Sequence, residues 1–259
     1  MLLQVKDLSI TYGNGSPTVQ HVSFAVDTGE VLAIVGESGS GKTTVIRAIQ
    51  MTLPANGRVS GGQILFRGRD LNSLSKEEQR ALSGRDISMI FQDAGAMLNP
   101  IRTIGRQYRE FLALHGITDR GEATARMHEM LRLVRLDPAQ VAASYIHELS
   151  GGMRQRVGIA MAITFHPALL LGDEPTSALD VTTQAAIIRE LMAVRQRMGM
   201  AIVIVTHNMG VASYMADRIL VMKNGAVEEY GDAEQVLHHP RAAYTKMLLD
   251  AVPKLEDTI

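Results

Sequence analysis

Hydrophobic and polar positions follow two rhythms along this chain. Leu3–Tyr12 and Val19–Val26 roughly alternate apolar and polar residues, the period of a half-buried strand, and Gly13-Asn14-Gly15-Ser16-Pro17 between them reads as a turn. Val31–Val35 is instead a continuous apolar run, which suits a strand covered on both faces of a sheet. Glycines follow at once, then 42–51 has a helical pattern closed by Leu53-Pro54 and Gly57. Further strands are expected at 63–67 and 87–91. From about 101 to 165 the texture changes. Stretches 101–114, 122–134 and 152–164 have helical periodicity with few strand signals between them. Strand–helix alternation then returns, with strands at 168–171, Ala201–Thr206 and Arg218–Lys223 and a helix over Val181–Met198. Such alternation predicts a largely parallel α/β sheet with a helical block inserted in it. The expected division is one domain, with an α/β core of 1–95 and 166–235, a helical subdomain of 96–165 and a C-terminal tail of 236–259. There is no internal repeat or low-complexity tract.

Composition narrows the function classes. Lys and Arg total 26 against 27 Asp and Glu, and this balance argues against a nucleic-acid binder. With 20% charged and 46% hydrophobic residues the chain is not disordered in bulk. The absence of Cys removes disulfides, thiolate zinc sites and cysteine-held iron–sulfur clusters. No apolar run approaches the ~20 residues of a membrane span, and the N-terminus lacks the pattern of a signal peptide, so a cytoplasmic location is expected.

Two motifs carry chemistry. Gly36-Glu37-Ser38-Gly39-Ser40-Gly41-Lys42-Thr43 fits G-x-x-x-x-G-K-[ST], with the required buried strand before it and helix after it. Glycines let backbone N–H groups converge on phosphate oxygens, and the helix N-terminus adds a favourable dipole. Lys42 is expected to reach the β- and γ-phosphates, and the Thr43 hydroxyl to ligate Mg²⁺. A dinucleotide fold is excluded because the glycines run G-x-x-G-x-G. Second, Leu169-Leu170-Leu171-Gly172 is an apolar strand ending in Asp173 and Glu174. Asp173 is then the Mg²⁺ partner and Glu174 is placed to polarise an attacking water. Two solvated acids at a strand end are the bland alternative, disfavoured by the phosphate loop upstream.

Beside these, Leu149-Ser150-Gly151-Gly152-Met153-Arg154-Gln155-Arg156 resembles the LSGGQ signature of ATP-binding cassette (ABC) ATPases. Ser177-Ala178-Leu179-Asp180 looks like their D-loop, Gln92 like the Q-loop glutamine, His207 like the switch histidine, and Tyr12 like the aromatic that stacks on adenine. The resemblance implies a P-loop NTPase core with an N-terminal antiparallel β subdomain and a helical signature subdomain. It implies ATP and Mg²⁺ as ligands. Nucleotide contacts fall to Tyr12, Gly36 to Thr44 (including Glu37, Ser38, Gly39, Ser40, Gly41, Lys42, Thr43 and Thr44), Gln92, Ser150, Gly151, Gly152 and Asp180. Metal contacts fall to Thr43, Gln92 and Asp173, and chemistry to Glu174, His207 and Lys42. In the family, the signature of one subunit covers the ATP held by another. Ser150, Gly151 and Gly152, read as preceding a helix, would present hydroxyl and N–H groups to that phosphate.

A narrower resemblance is to the dipeptide, oligopeptide and nickel importer group. It rests on Phe91-Gln92-Asp93, Leu98-Asn99-Pro100 and Ile104-Gly105, and on His238-His239-Pro240 with Ala243-Tyr244-Thr245, Leu248-Leu249 and Ala251-Val252-Pro253. It implies a second, different ATPase subunit, two transmembrane permeases and an extracytoplasmic binding protein, with this chain on the cytoplasmic face of the inner membrane and no nucleic acid as partner. Met153, where the other type usually has Gln, matches one of the two ATPase types. Departures are Ala94, where that group commonly has Pro, and Gly172 in place of Ala, which would loosen its strand slightly. His238 and His239 are adjacent and diverge on a helix, so they are read as solvated rather than metal-binding. A soluble ABC ATPase of DNA repair or translation is the alternative. It is disfavoured because no sustained heptads and only one cassette are present. A small-molecule kinase would leave the signature and His207 unexplained.

Overall fold

The computed structural model describes residues 1–251; Val252 and Pro253 of the importer-like tail lie outside the described residues. In chain order the elements are β1 (Leu3–Tyr12), β2 (Val19–Val26), β3 (Val31–Val35), α1 (Lys42–Ile49), β4 (Gly57–Phe66), β5 (Arg69–Asp70), α2 (Lys76–Leu82) and β6 (Ile87–Ile90). There follow α3 (Ile104–Leu114), α4 (Arg120–Leu133), α5 (Pro138–Ala143), α6 (Gly151–Ala162), β7 (Leu169–Asp173) and α7 (Val181–Met198). The chain then continues through β8 (Ala201–Thr206), α8 (Met209–Met215), β9 (Arg218–Lys223), β10 (Ala226–Asp232), α9 (Ala233–His238) and α10 (Ala243–Asp250). By packing, the chain forms two compact units, residues 1–80 with 201 onward, and residues 81–200.

In the first unit, β2, β1, β4 and β5 form an antiparallel sheet in that order. The strand expected at 63–67 begins instead at Gly57, because β4 pairs with β1 from Tyr12 opposite Gly57 to Leu3 opposite Phe66. Arg58, Ser60, Gly61 and Gly62 hide that half of the strand from an apolar pattern. The register shifts beside Lys6 and Ser9, where Gly62 has a φ of +80° and a Cβ would stand 2.3 Å from the Lys6 and Asp7 carbonyl oxygens. The second sheet of this unit runs β10, β9, β3, β8, with β3 parallel to both neighbours and β10 antiparallel to β9. Every residue of β3 and β8 is buried, as their continuous apolar runs require.

In the second unit, β6 lies parallel to β7, from Ile87 opposite Leu169 to Ile90 opposite Gly172. Gly172 is buried and keeps that register. Helices α3 to α7 make up the rest. The helix expected from 101 starts at Ile104, with Thr103 at its N-cap position. Tyr108 is fully buried, its hydroxyl 2.9 Å from the Ala160 carbonyl oxygen and 2.6 Å from the Thr164 hydroxyl. No helix among the described residues is long and apolar enough to cross a membrane.

Candidate functional site

In the first unit the site grows from the end of β3. Gly36 follows Val35 with a φ of +149°, and a Cβ there would sit 2.1 Å from the Met222 carbonyl oxygen. Only glycine fits between β9 and the loop. The Gly225 N–H donates to the Ser40 carbonyl (3.1 Å), so the β9–β10 turn grips the loop from one side. Gly41, at φ +97°, is the N-cap residue of α1 and supplies no side-chain acceptor to that helix end. A helix N-terminus of this kind attracts an anion. Lys42 is 5% exposed, and its Nζ donates to the carbonyls of Gly36 (2.8 Å) and Glu37 (2.7 Å), with the Ser40 hydroxyl at 3.4 Å. The ammonium is therefore held inside the loop by backbone oxygens.

The Tyr12 hydroxyl donates to Thr44 Oγ1 at 3.3 Å, and its ring packs on Gly57, where a Cβ would stand 2.8 Å from Cε1. Two residues with nucleotide roles expected from the resemblance are thus in contact. Val35 is opposite Thr206 in the parallel β3–β8 pair, so the phosphate loop and His207 leave neighbouring strands at the same end. His207 is exposed. Asn208 beside it caps α8 by accepting the N–H groups of Gly210 (2.9 Å) and Val211 (3.3 Å).

The second unit holds the remaining candidates. Ile90 is opposite Gly172, so Gln92 and the Asp173–Glu174 pair also leave adjacent parallel strands at one end, where open α/β sheets place ligands. Glu174 is a non-glycine residue at φ +46°. Its carbonyl accepts the Ser177 N–H (3.2 Å) and hydroxyl (3.1 Å), which hold that uncommon conformation. Ser150 caps α6, accepting the Met153 N–H at 3.3 Å. Gly151 and Gly152 do not precede the helix, as the sequence suggested; they form its first turn, because the Ser150 side chain caps it from outside. A Cβ on Gly152 would lie 2.7 Å from Thr183 Cγ2, and one on Gly151 3.3 Å from Leu179 Cδ2. The signature glycines therefore let α6 approach the segment 179–183. Asp180 caps α7, accepting the Thr183 N–H at 3.0 Å. The Thr182 hydroxyl, then the Thr183 donors, hold its carboxyl well below the usual carboxylate range.

Sequence reasoning missed two contacts near these groups. Gln155, 4% exposed on α6, donates from Nε2 to the Phe91 carbonyl at 3.1 Å, directly before Gln92. A Cβ on Gly158 would stand 2.5 Å from the buried Ala94 Cβ, so α6 closes tightly on the segment after Gln92. A glutamine amid the apolar positions of 152–164 was the available signal for the first contact. Nothing local marked the second. Among the described residues, no group of three or more His, Asp or Glu side chains is gathered to hold a metal ion.

A family model described as ABC transporter matches residues 19–177, well over half of the chain. The chain belongs to the ABC transporter family. It is 43% identical over 258 residues to a probable peptide ABC transporter ATP-binding protein of Sinorhizobium fredii, covering 98% of this chain and 77% of that protein. It is 46% identical over 260 residues to a peptidoglycan transport ATP-binding protein of Agrobacterium fabrum, covering 98% of this chain. There the chain spans about half of the relative's length, 48%. Among solved structures, the dimeric post-hydrolysis ATP-binding cassette MJ0796, bound to ADP and Pi, superposes with a TM-score of 0.78 at 28% identity, covering 90% of this chain and 99% of that one. The single set of ABC-like motifs in this chain thus sits on a fold that its solved relatives share.

Proposed function

We infer that this chain is the ATP-hydrolysing subunit of a membrane ABC importer for peptides or peptide-bearing cargo. The observation that carries the reading is Lys42, a buried ammonium cradled by two loop carbonyls at the start of α1. ATP places its phosphates in the loop from Gly36 to Thr44, and Lys42 exchanges carbonyl partners for β- and γ-phosphate oxygens. Tyr12 takes the adenine. Thr43, Gln92 and Asp173 offer the hard oxygen donors that Mg²⁺ prefers, and the bound ion would neutralise charge on the phosphates. Glu174 orients a water whose oxygen attacks the γ-phosphorus in line as the bond to the bridging oxygen breaks. His207 contacts the γ-phosphate. Ser150, Gly151, Gly152 and Asp180 serve the nucleotide held by a second ATPase subunit.

Closure of two such subunits around ATP drives two permeases, which receive cargo from a binding protein; this chain works peripherally on the cytoplasmic face. The relatives named for transport support this reading over a soluble repair or translation ATPase. We further propose that the second ATPase is a different chain, on the Met153-containing signature. Reconstitution in vesicles is the test. ATP-driven peptide uptake that needs a second ATPase is expected. Uptake by a complex holding two copies of this chain defeats the heteromer, and no uptake of any peptide defeats the cargo class.

A further inference from the structure

The Gly36 carbonyl that accepts from Lys42 and the Glu37 N–H belong to one peptide group. That N–H donates to the Tyr244 hydroxyl at 3.1 Å, across 207 residues of sequence. One end of the peptide is thus fixed by the lysine that will meet phosphate, and the other by a side chain of α10. We propose that Tyr244 is a positioning residue of the phosphate loop, which makes the C-terminal helix part of the nucleotide site.

Three further contacts make this a built support. Tyr244 is 5% exposed, and the Lys223 ammonium lies 4.6 Å from its ring centroid, at the end of β9. Burial raises the phenol above its ordinary value, so at neutral pH it is an uncharged hydroxyl able to accept the N–H. The entry to α10 is held by Glu229 of β10. Its Oε1 accepts the Arg241 N–H (2.9 Å) and its Oε2 the Ala242 N–H (3.1 Å). Ala242, the N-cap residue of α10, has no capping side chain of its own, so Glu229 fixes that helix start from another strand. Burial pushes the Glu229 carboxyl up, but the Arg241 and Ala242 N–H donors help to outweigh it, so the group lies below its usual value, charged at neutral pH. The path runs from Glu229 through 241–242 to Tyr244, then to the Gly36–Glu37 peptide and Lys42.

A fixed peptide leaves Lys42 one resting place from which to reach phosphate, so less ordering remains to be done when nucleotide binds. The proposal rests on the loop being the ATP site. Tyr244→Phe keeps the ring, its burial and its contact with Lys223, and removes only the acceptor. In the full-length chain, titrated with a fluorescent ATP analogue, this variant should bind about 3- to 10-fold more weakly, the worth of one hydrogen bond. In the assembled transporter KM for ATP should rise by the same factor, while kcat stays within about twofold and the melting temperature falls by no more than about 2–4 °C, as loss of one hydrogen bond implies. Glu229→Gln should shift affinity in the same direction, and the double variant should fall short of the product of the two effects. Lys42→Ala is the control. If Lys42→Ala weakens binding and Tyr244→Phe does not, the positioning role is overturned and the ATP site stands. If Lys42→Ala also binds normally, the ATP-site reading itself fails. A loss of kcat with unchanged KM, or one that tracks a melting temperature lowered by more than about 4 °C, also overturns the proposal.

Discussion

Gln155 Nε2 lies 3.1 Å from the carbonyl oxygen of Phe91, so the helix that opens with the signature glycines holds the residue directly before Gln92. Gln155→Leu preserves bulk and removes the donor. It should lower stability by about 1–2 kcal/mol, the cost of leaving a partly buried carbonyl without its partner. ATP affinity should fall by less than for Lys42→Ala, because the contacts that hold Lys42 in its loop are untouched. Urea unfolding together with nucleotide titration checks both; a loss of affinity as large as that of Lys42→Ala would contradict this ranking.

Glu174→Gln should keep nucleotide binding and lose most turnover, by on the order of 10²-fold or more, since the amide no longer accepts a proton from the attacking water. Steady-state hydrolysis by the variant, assembled with its partners, is the measurement. A near-normal rate would remove Glu174 from the chemistry.

Lys42→Ala should weaken ATP binding itself, by roughly 10- to 100-fold for the loss of charge-assisted hydrogen bonds to phosphate. Equilibrium titration separates this from an effect on rate. Unchanged affinity would mean that the loop serves another ligand.

Tyr108→Phe should cost about 1–2 kcal/mol and Tyr108→Ala about 3–5 kcal/mol, through the lost hydroxyl contacts and then the cavity. Burial raises the Tyr108 phenol above its ordinary value. Its folded form therefore stays protonated where an unfolded chain begins to ionise. The resulting contribution is complete below the ordinary tyrosine value of about 10 and is lost as pH rises above it. Denaturant midpoints measured from neutral to alkaline pH should fall less steeply for Tyr108→Phe than for the natural chain.

Much of the site was legible from contiguous residues. A buried strand, five residues of apolar side chains, a glycine loop and a helix must follow one another within a few residues for backbone amides to converge on phosphate. That arrangement is local, and the structure places it where the pattern does, with β3 at Val31–Val35 and α1 from Lys42. β1, β2, α7, β8 and β9 likewise have the limits that their periodicity suggests. The first half of β4 escaped because its partners on β1, not its own side chains, make it a strand. β10, α9 and α10 escaped for a similar reason: their sequences are mixed, and Glu229 supplies from a distance what a local cap would otherwise supply.

The order of the motifs, the loop and the alternating α/β plan were determined by the sequence itself, because each depends on side-chain period or on residues a few positions apart. Only the tertiary structure decided that Gly151 and Gly152 open a helix against Thr183, that Gln155 reaches Phe91, and that Tyr244 meets the Glu37 N–H. These contacts join groups tens to hundreds of residues apart. A hydrogen bond or a missing Cβ acts only where the folded chain brings two backbones together, and no period along the sequence encodes that distance.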